Sequence, residues 1–264
     1  MPILVLSPRY TPDSNALWKA AIDHEDWSVE RLHSHRPPDY LRNKDVAIYG
    51  EALFVNIVAD ELALALLEPP FDFLSHLSRH YLLRDIRFAT LRDARKITTP
   101  AFIKPAYDKS FDAEVYATGN DLPAAVTLPD DLPVLISEPV SWKIEFRCFV
   151  VDRRIATLSV YSRDGHLARG EDGNWPVEET EKHAATQFVT GLLEDKSVDI
   201  PPAFVLDVGL VNGRGWGVVE ANPAWASGIY GCHPVDILAV LSRACIQQGN
   251  LTSQDARWIF ERSV

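Results

Sequence analysis

Apolar residues first appear as short unbroken runs. Residues 3–6 (Ile3, Leu4, Val5, Leu6) and 46–49 (Val46, Ala47, Ile48, Tyr49) contain no polar position. Such runs predict strands buried on both faces, as in a parallel sheet. Residues 27–32 alternate and predict another strand between them. The loop 7–14 carries Pro8 and Pro12, and Asp13 or Ser14 is placed to cap a helix ending near Ile22. From 51 to 67, Leu53, Ile57, Leu62 and Leu66 recur at helical spacing, until Pro69 and Pro70 stop the pattern. Residues 71–81 and 85–95 read as further helical segments.

After Thr98, Thr99 and Pro100 the period becomes that of strands. Strands are predicted over 101–106, 134–137, 144–151, 155–161, 204–211 and 216–221. Tight connections at 152–154 and 212–215 predict two antiparallel hairpins. Amphipathic helices are predicted over 178–193 and 234–247. A last one is capped by Thr252 or Ser253 and ends near Arg262. The chain thus divides into a β/α portion, 1–95, and an α+β portion, 96–264.

Composition narrows the classes. The 264 residues allow one large domain or two small ones. Hydrophobic residues at 47% and charged residues at 24% exclude a disordered chain. No apolar run approaches the roughly 20 residues of a membrane span. The N-terminus lacks the basic flank of a signal peptide. The net charge of −11 argues against a nucleic-acid partner and leaves room for a local basic pocket for a small anion. Cys148, Cys232 and Cys245 are odd in number with no Cys-x-x-Cys spacing, as expected of reduced thiols in a cytoplasm. His33 and His35 lack a third ligand for a metal.

Chemistry concentrates in three clusters. Asp207 interrupts an apolar strand, and Glu220 and Asn222 lie on the next one. With a four-residue loop at 212–215, Asp207 falls opposite Glu220, and Asn222 shares that face. Opposed carboxylates repel unless neutralised, and oxygen ligands suit Mg²⁺ or Mn²⁺. The other reading is two solvent-facing acids on an edge hairpin. Upstream, Lys104 interrupts a strand before Pro105, and Lys109 follows in a polar turn. Phosphate would pair with such lysines, although an edge-strand lysine can also reach solvent along its stem. Between these clusters, Lys143, Glu145 and Arg147 alternate with the apolar Ile144, Phe146 and Cys148. Their charged face is either solvated or one wall of a cleft.

Taken in order, these clusters resemble the ATP-grasp superfamily. Asp207, Glu220 and Asn222 have the metal-ligand spacing of its D-alanine–D-alanine ligase branch. Glu138 and Glu145 are spaced like its hinge. The Lys104 strand looks like its nucleotide-binding strand. The segments around Arg147 and over 220–231 look like a bacterial and phage clade named for an arginine and two lysines, here Arg147, Lys104 and Lys109. The resemblance implies an α+β ATP-grasp fold preceded by a small β/α pre-ATP-grasp domain. Within 96–264, a small lobe over 96–137 would precede the hinge and metal-binding lobe over 138–264. It implies ATP held by Lys104, Lys109, Glu138, Pro139, Val140, Ser141, Glu145 and Arg147. Asp207, Glu220 and Asn222 would hold Mg²⁺ or Mn²⁺. Lys109 and Arg147 would act in catalysis, with Arg163 as the other candidate for charge stabilisation. The implied reaction is carboxylate–amine ligation on small-molecule or peptide substrates. A small-molecule kinase and a non-catalytic nucleotide-binding module are the alternatives.

Overall fold

The computed structural model describes residues 1–107 and 109–259. Strand β1 (Ile3–Leu6) lies between β2 (Ser28–Arg31) and β3 (Val46–Tyr49) in a three-stranded parallel sheet. Helices Pro12–Ile22, Ala52–Glu61 and Pro234–Ala244 pack on it, which is why these strands carry unbroken apolar runs. The cap of the first helix is Thr11 rather than Asp13 or Ser14. The Thr11 hydroxyl accepts from the Ser14 amide, and the Ser14 hydroxyl accepts from the Thr11 amide. Asp13 is thereby left for a distant contact.

Three predicted helical stretches contain strands. The helix over 51–67 stops at Glu61; Ala63 takes a φ of +53° and the chain turns into β4 (Leu64–Leu66). The partner of β4 is Cys245–Gln247, which the 234–247 helix was expected to include. Residues 85–95 give β5 (Ile86–Thr90) and only one helical turn, Leu91–Ala94. In each case a ladder partner distant in sequence outweighs a short apolar spacing that fits either period. Residues 71–81 form two single-turn helices, Phe73–His76 and Arg79–Leu82.

Strand β5 belongs to a four-stranded antiparallel sheet with β6 (Ala101–Pro105), β7 (Glu114–Tyr116) and β8 (Pro133–Ser137), in the order β5-β8-β6-β7. Its core is built on Leu91, Ile103, Tyr116, Val134 and Ile136. The largest sheet is also antiparallel. It comprises β9 (Trp142–Val151), β10 (Arg154–Arg163), β11 (His166–Leu167), β12 (Ala203–Val211) and β13 (Gly215–Asn222), ordered β11-β10-β9-β12-β13. Asp152 and Arg153, both at positive φ, make the tight turn from β9 to β10.

The two faces of this sheet bury different partners. Phe146, Cys148, Phe204, Leu206 and Val208 pack with helix Glu179–Glu194. Phe149, Ala203 and Val205 join the N-terminal core. Asp207 alternates with the first set and so lies on the second face. Near the C-terminus a 3-10 turn, Asp255–Trp258, follows Thr252, whose hydroxyl accepts from the Asp255 amide. The rest of the helix expected to end at Arg262 lies outside the described residues. Among the described residues, no helix is long and apolar enough to cross a membrane.

Candidate functional site

The β12–β13 hairpin reaches its register by two compensating features. The turn is tighter than a four-residue loop, because Val211 pairs with Gly215. That pairing alone would set Val219 opposite Asp207. A bulge at Val219 shifts the ladder by one residue, and Asp207 faces Glu220 while Val205 faces Asn222.

Arg147 stands opposite Asp207 on the neighbouring strand β9. Its guanidinium forks onto the carboxylate, with Nε to Oδ1 at 2.9 Å and Nη2 to Oδ2 at 2.6 Å. Nη1 donates to the Gly228 carbonyl at 3.0 Å. Asp207 is fully buried, and the Arg147 side chain is 8% exposed. The rings of Tyr230 and Tyr161 lie 4.8 and 5.4 Å from the guanidinium carbon. Burial pushes the Asp207 carboxyl up to about 6 against the pull of Arg147. Burial also opposes the Arg147 charge, but Asp207 outweighs it and holds the guanidinium above its ordinary range.

Glu220 has its own cation. Lys104 Nζ, from β6 of the small sheet, lies 2.8 Å from Glu220 Oε2, and Asn222 Nδ2 donates to Oε1 at 2.9 Å. Burial would raise the Glu220 carboxyl, yet the Lys104 charge and hydrogen bond, with Asn222, bring it down to about 2. Asn222 also lies 3.5 Å from Asp207 Oδ2, so the three oxygen-bearing side chains converge. Such a donor set fits a hard divalent cation. Among the described residues, no group of three or more His, Cys, Asp or Glu could hold a metal.

A cavity of about 170 Å³ lies between the small sheet and β13, lined by Arg84, Phe102, Lys104, Val140, Trp142 and Glu220, among others. Glu138 is on its rim. Glu138 Oε1 accepts from Arg214 Nη2 at 2.7 Å, and that bond holds the Glu138 carboxyl below its usual range. Pro139, Val140 and Ser141 form the link from β8 to β9. Glu145 does not line this cavity; it accepts from the Tyr161 hydroxyl at 2.8 Å, on the Arg147 side of the site. Burial keeps that phenol protonated far above its ordinary value. Lys109 is exposed in the loop beyond β6, and Lys143 is exposed on β9. Arg163 is forked onto Glu181 at 2.9 and 2.8 Å.

Lys104, Arg147, Asp207, Glu220 and Asn222 therefore form one connected network. Sequence reasoning gave no site role to two of its supports, Tyr161 and Asp13, whereas a third, Tyr230, lies in the segment 220–231 that it singled out. Tyr161 touches both Glu145 and Arg147 from β10. Tyr230, at positive φ, stacks on Tyr161 at 5.2 Å. Asp13 Oδ2 accepts from the Ile229 amide at 3.0 Å, beside the Gly228 carbonyl that Arg147 holds. Alternation on β10 marks Tyr161 as able to share a face with charged neighbours. No local signal marks Asp13 for the site.

Comparison with known proteins bears on the fold and the family. No curated protein sequence matches the chain. A RimK domain protein ATP-grasp from Sphaerobacter thermophilus is 14% identical, with a TM-score of 0.55 over 92% of this chain and 98% of that one. A D-alanine–D-alanine ligase from Bacillus anthracis is 11% identical, with a TM-score of 0.55 over 92% and 97%. An N5-carboxyaminoimidazole synthase from Aspergillus clavatus is 12% identical, with a TM-score of 0.54 over 94% and 78%. At these identities the likeness is one of fold. A family model for the ATP-grasp domain of the arginine-and-two-lysines clade, family 2, matches residues 81–240, more than half of the sequence, and the chain belongs to that ATP-grasp family.

Proposed function

We propose that the chain is an ATP-dependent carbon–nitrogen ligase that joins a carboxylate to an amine through an acylphosphate. ATP and Mg²⁺ bind between the small sheet and the β12–β13 hairpin. The observation that supports this reading is the Lys104–Glu220 contact at the cavity wall, where a lysine from the small sheet meets a carboxylate of the hairpin. Family membership gives the reaction class. A Bacillus anthracis D-alanine–D-alanine ligase of this fold, at a TM-score of 0.52, has been crystallised with ATP. The three-stranded parallel sheet takes the place of the pre-ATP-grasp domain.

Each side chain then has a task. Val140 and the hinge backbone at 139–141 hold the base, with Glu138 braced by Arg214 at the rim. Glu145, tied to the Tyr161 hydroxyl outside that cavity, has no ribose contact in this reading. Lys104 and Lys109 bind phosphate oxygens. Asp207, Glu220 and Asn222 hold Mg²⁺, which supplies charge neutralisation to the triphosphate when bound. Arg147 holds Asp207 in place and stabilises charge on the transferred phosphoryl group. A substrate carboxylate oxygen attacks the γ-phosphorus as the bond to ADP breaks. The amine then attacks the acyl carbon, phosphate leaves with the bonding pair, and the amine loses its proton. Positioning and electrostatics do most of the work.

Incubation with amino acids or dipeptides, ATP, Mg²⁺ and hydroxylamine should release ADP and yield a hydroxamate. A stable phosphoester would instead identify a kinase. Nucleotide binding without substrate-dependent ADP release would identify a binding module.

Cation affinity should also depend on pH. Glu220, at about 2, stays ionised across the neutral range, whereas Asp207 takes a proton as pH falls through about 6. Mn²⁺ affinity in the presence of an ATP analogue is therefore expected to be full above about pH 7 and to decline below about pH 6. Folding responds in the opposite sense. The native Asp207 carboxyl binds its proton more tightly than the unfolded chain does, so this group adds stability as pH falls from about 6 to about 4. Mn²⁺ titration by paramagnetic resonance checks the first trend, and a flat profile counts against Asp207 as a ligand.

A further inference from the structure

The register of β13 shifts by one residue at Val219. A regular ladder continuing from the Val208–Val218 pair would set Asp207 opposite Val219 and Leu206 opposite Glu220. Leu206 is wholly buried in the core against helix Glu179–Glu194. A one-residue slip exchanges faces, so Glu220 would be aimed into that apolar packing, and Asn222 would follow it opposite Phe204. The extra residue at Val219 turns both toward Asp207. A bulge of this kind disrupts the ladder locally and leaves backbone groups that need other partners.

Arg84 supplies those partners. It lies between the single-turn helix Arg79–Leu82 and β5, and is only 6% exposed. Nη1 donates to the Val218 carbonyl at 2.6 Å, and Nη2 to the Val219 carbonyl at 2.9 Å. Nη1 also reaches the Leu82 carbonyl at 3.1 Å, and the guanidinium carbon lies 4.9 Å from the Trp142 ring centroid. Burial lowers its pKa only to about 10, so it remains a cation at neutral pH. The backbone around it is fitted to the same strand: a Cβ on Gly217 would come within 3.1 Å of the Leu82 oxygen. A planar fork spans two successive carbonyls, which an ammonium on a flexible stem does not reproduce.

We propose that Arg84 is a positioning residue that fixes the Val219 bulge and so sets Glu220 and Asn222 on the cation-binding face. This inference rests on the proposed cleft. Its own content is that Arg84 acts through strand register, with no contact to the cation.

The test compares wild type with Arg84→Lys and Arg84→Met. Both variants are expected to keep the wild-type circular dichroism. Mn²⁺ affinity, measured with the non-hydrolysable ATP analogue saturating, should fall about tenfold or more. Crystal structures should show β13 re-registered, with Val219 opposite Asp207. A folded variant with unchanged Mn²⁺ affinity overturns the proposal, as does Glu220 still facing Asp207. Should Arg84→Met fail to fold, Arg84→Lys decides. Should wild type itself bind no Mn²⁺ with the analogue, the cleft reading fails, and the register of β13 in the Arg84→Lys crystal decides the role of Arg84 by itself.

Discussion

Asp207→Leu is expected to abolish ATP turnover and to lower folding stability by about 3–5 kcal/mol, the range for breaking a buried ion pair. The substitution leaves the Arg147 guanidinium buried with the Gly228 carbonyl as its remaining hydrogen-bond acceptor and the Glu220 carboxylate 4.0 Å away. Burial of that charge without its hydrogen-bonded carboxylate produces the loss, more than any missing attraction. Arg147→Met should do comparable damage for the mirror reason, since it strands a carboxylate that is fully buried. The double variant Asp207→Leu/Arg147→Met separates structure from chemistry. Apolar side chains in place of both charges should recover most of the stability, because such pairs are often neutral to replace. Turnover should not return, because the carboxylate proposed for the cation site is gone. Urea unfolding of the four proteins gives the coupling energy, and an ADP-release assay gives the activity. Recovery of turnover in the double variant would remove Asp207 from the proposed chemistry.

The contrast between the two halves of that pair shows what the sequence makes legible. Strand period identified β12 and β13, and turn residues identified the hairpin, so Asp207 and Glu220 could be placed face to face. That placement holds because a tighter turn and the Val219 bulge offset each other, and neither has a clear local signature. The Arg147–Asp207 fork spans 60 residues of sequence and depends on β9 and β12 pairing in one register. Alternation shows only that Arg147 is on the charged face of its strand. Arg84 illustrates the limit more sharply. It sits in a short connection with no period at all, and its importance comes from two carbonyls on a strand more than 130 residues away. The helix-to-strand exchanges at β4, β5 and Cys245–Gln247 have the same origin. Local apolar spacing there fits both periods, and only the distant partner decides.

Trp225→Ala is expected to be as damaging to the fold, at about 3–5 kcal/mol. The side chain is wholly buried in the N-terminal core, and its Nε1 donates to the Leu67 carbonyl at 3.2 Å. Its own carbonyl accepts from the Gly50 amide at 3.1 Å. Truncation therefore opens a large cavity and removes the indole donor from a buried carbonyl. For a chain of this size the loss corresponds to a fall in melting temperature of roughly 6–20 °C. Trp225→Phe keeps most of the volume and loses the indole donor, so it should give up only about 1–3 kcal/mol. The consequence for the site follows from where the loop goes next. Ser227 offers its carbonyl to the Tyr49 hydroxyl, Gly228 offers its carbonyl to Arg147, and the Ile229 amide donates to Asp13. Trp225 anchors the loop on which one of the three Arg147 guanidinium hydrogen bonds depends. Below its lowered melting point, the folded alanine variant should therefore also bind Mn²⁺ with the ATP analogue more weakly, and the phenylalanine variant less so. Unchanged Mn²⁺ affinity in folded Trp225→Ala would show that the Asp207 fork alone holds Arg147 in place.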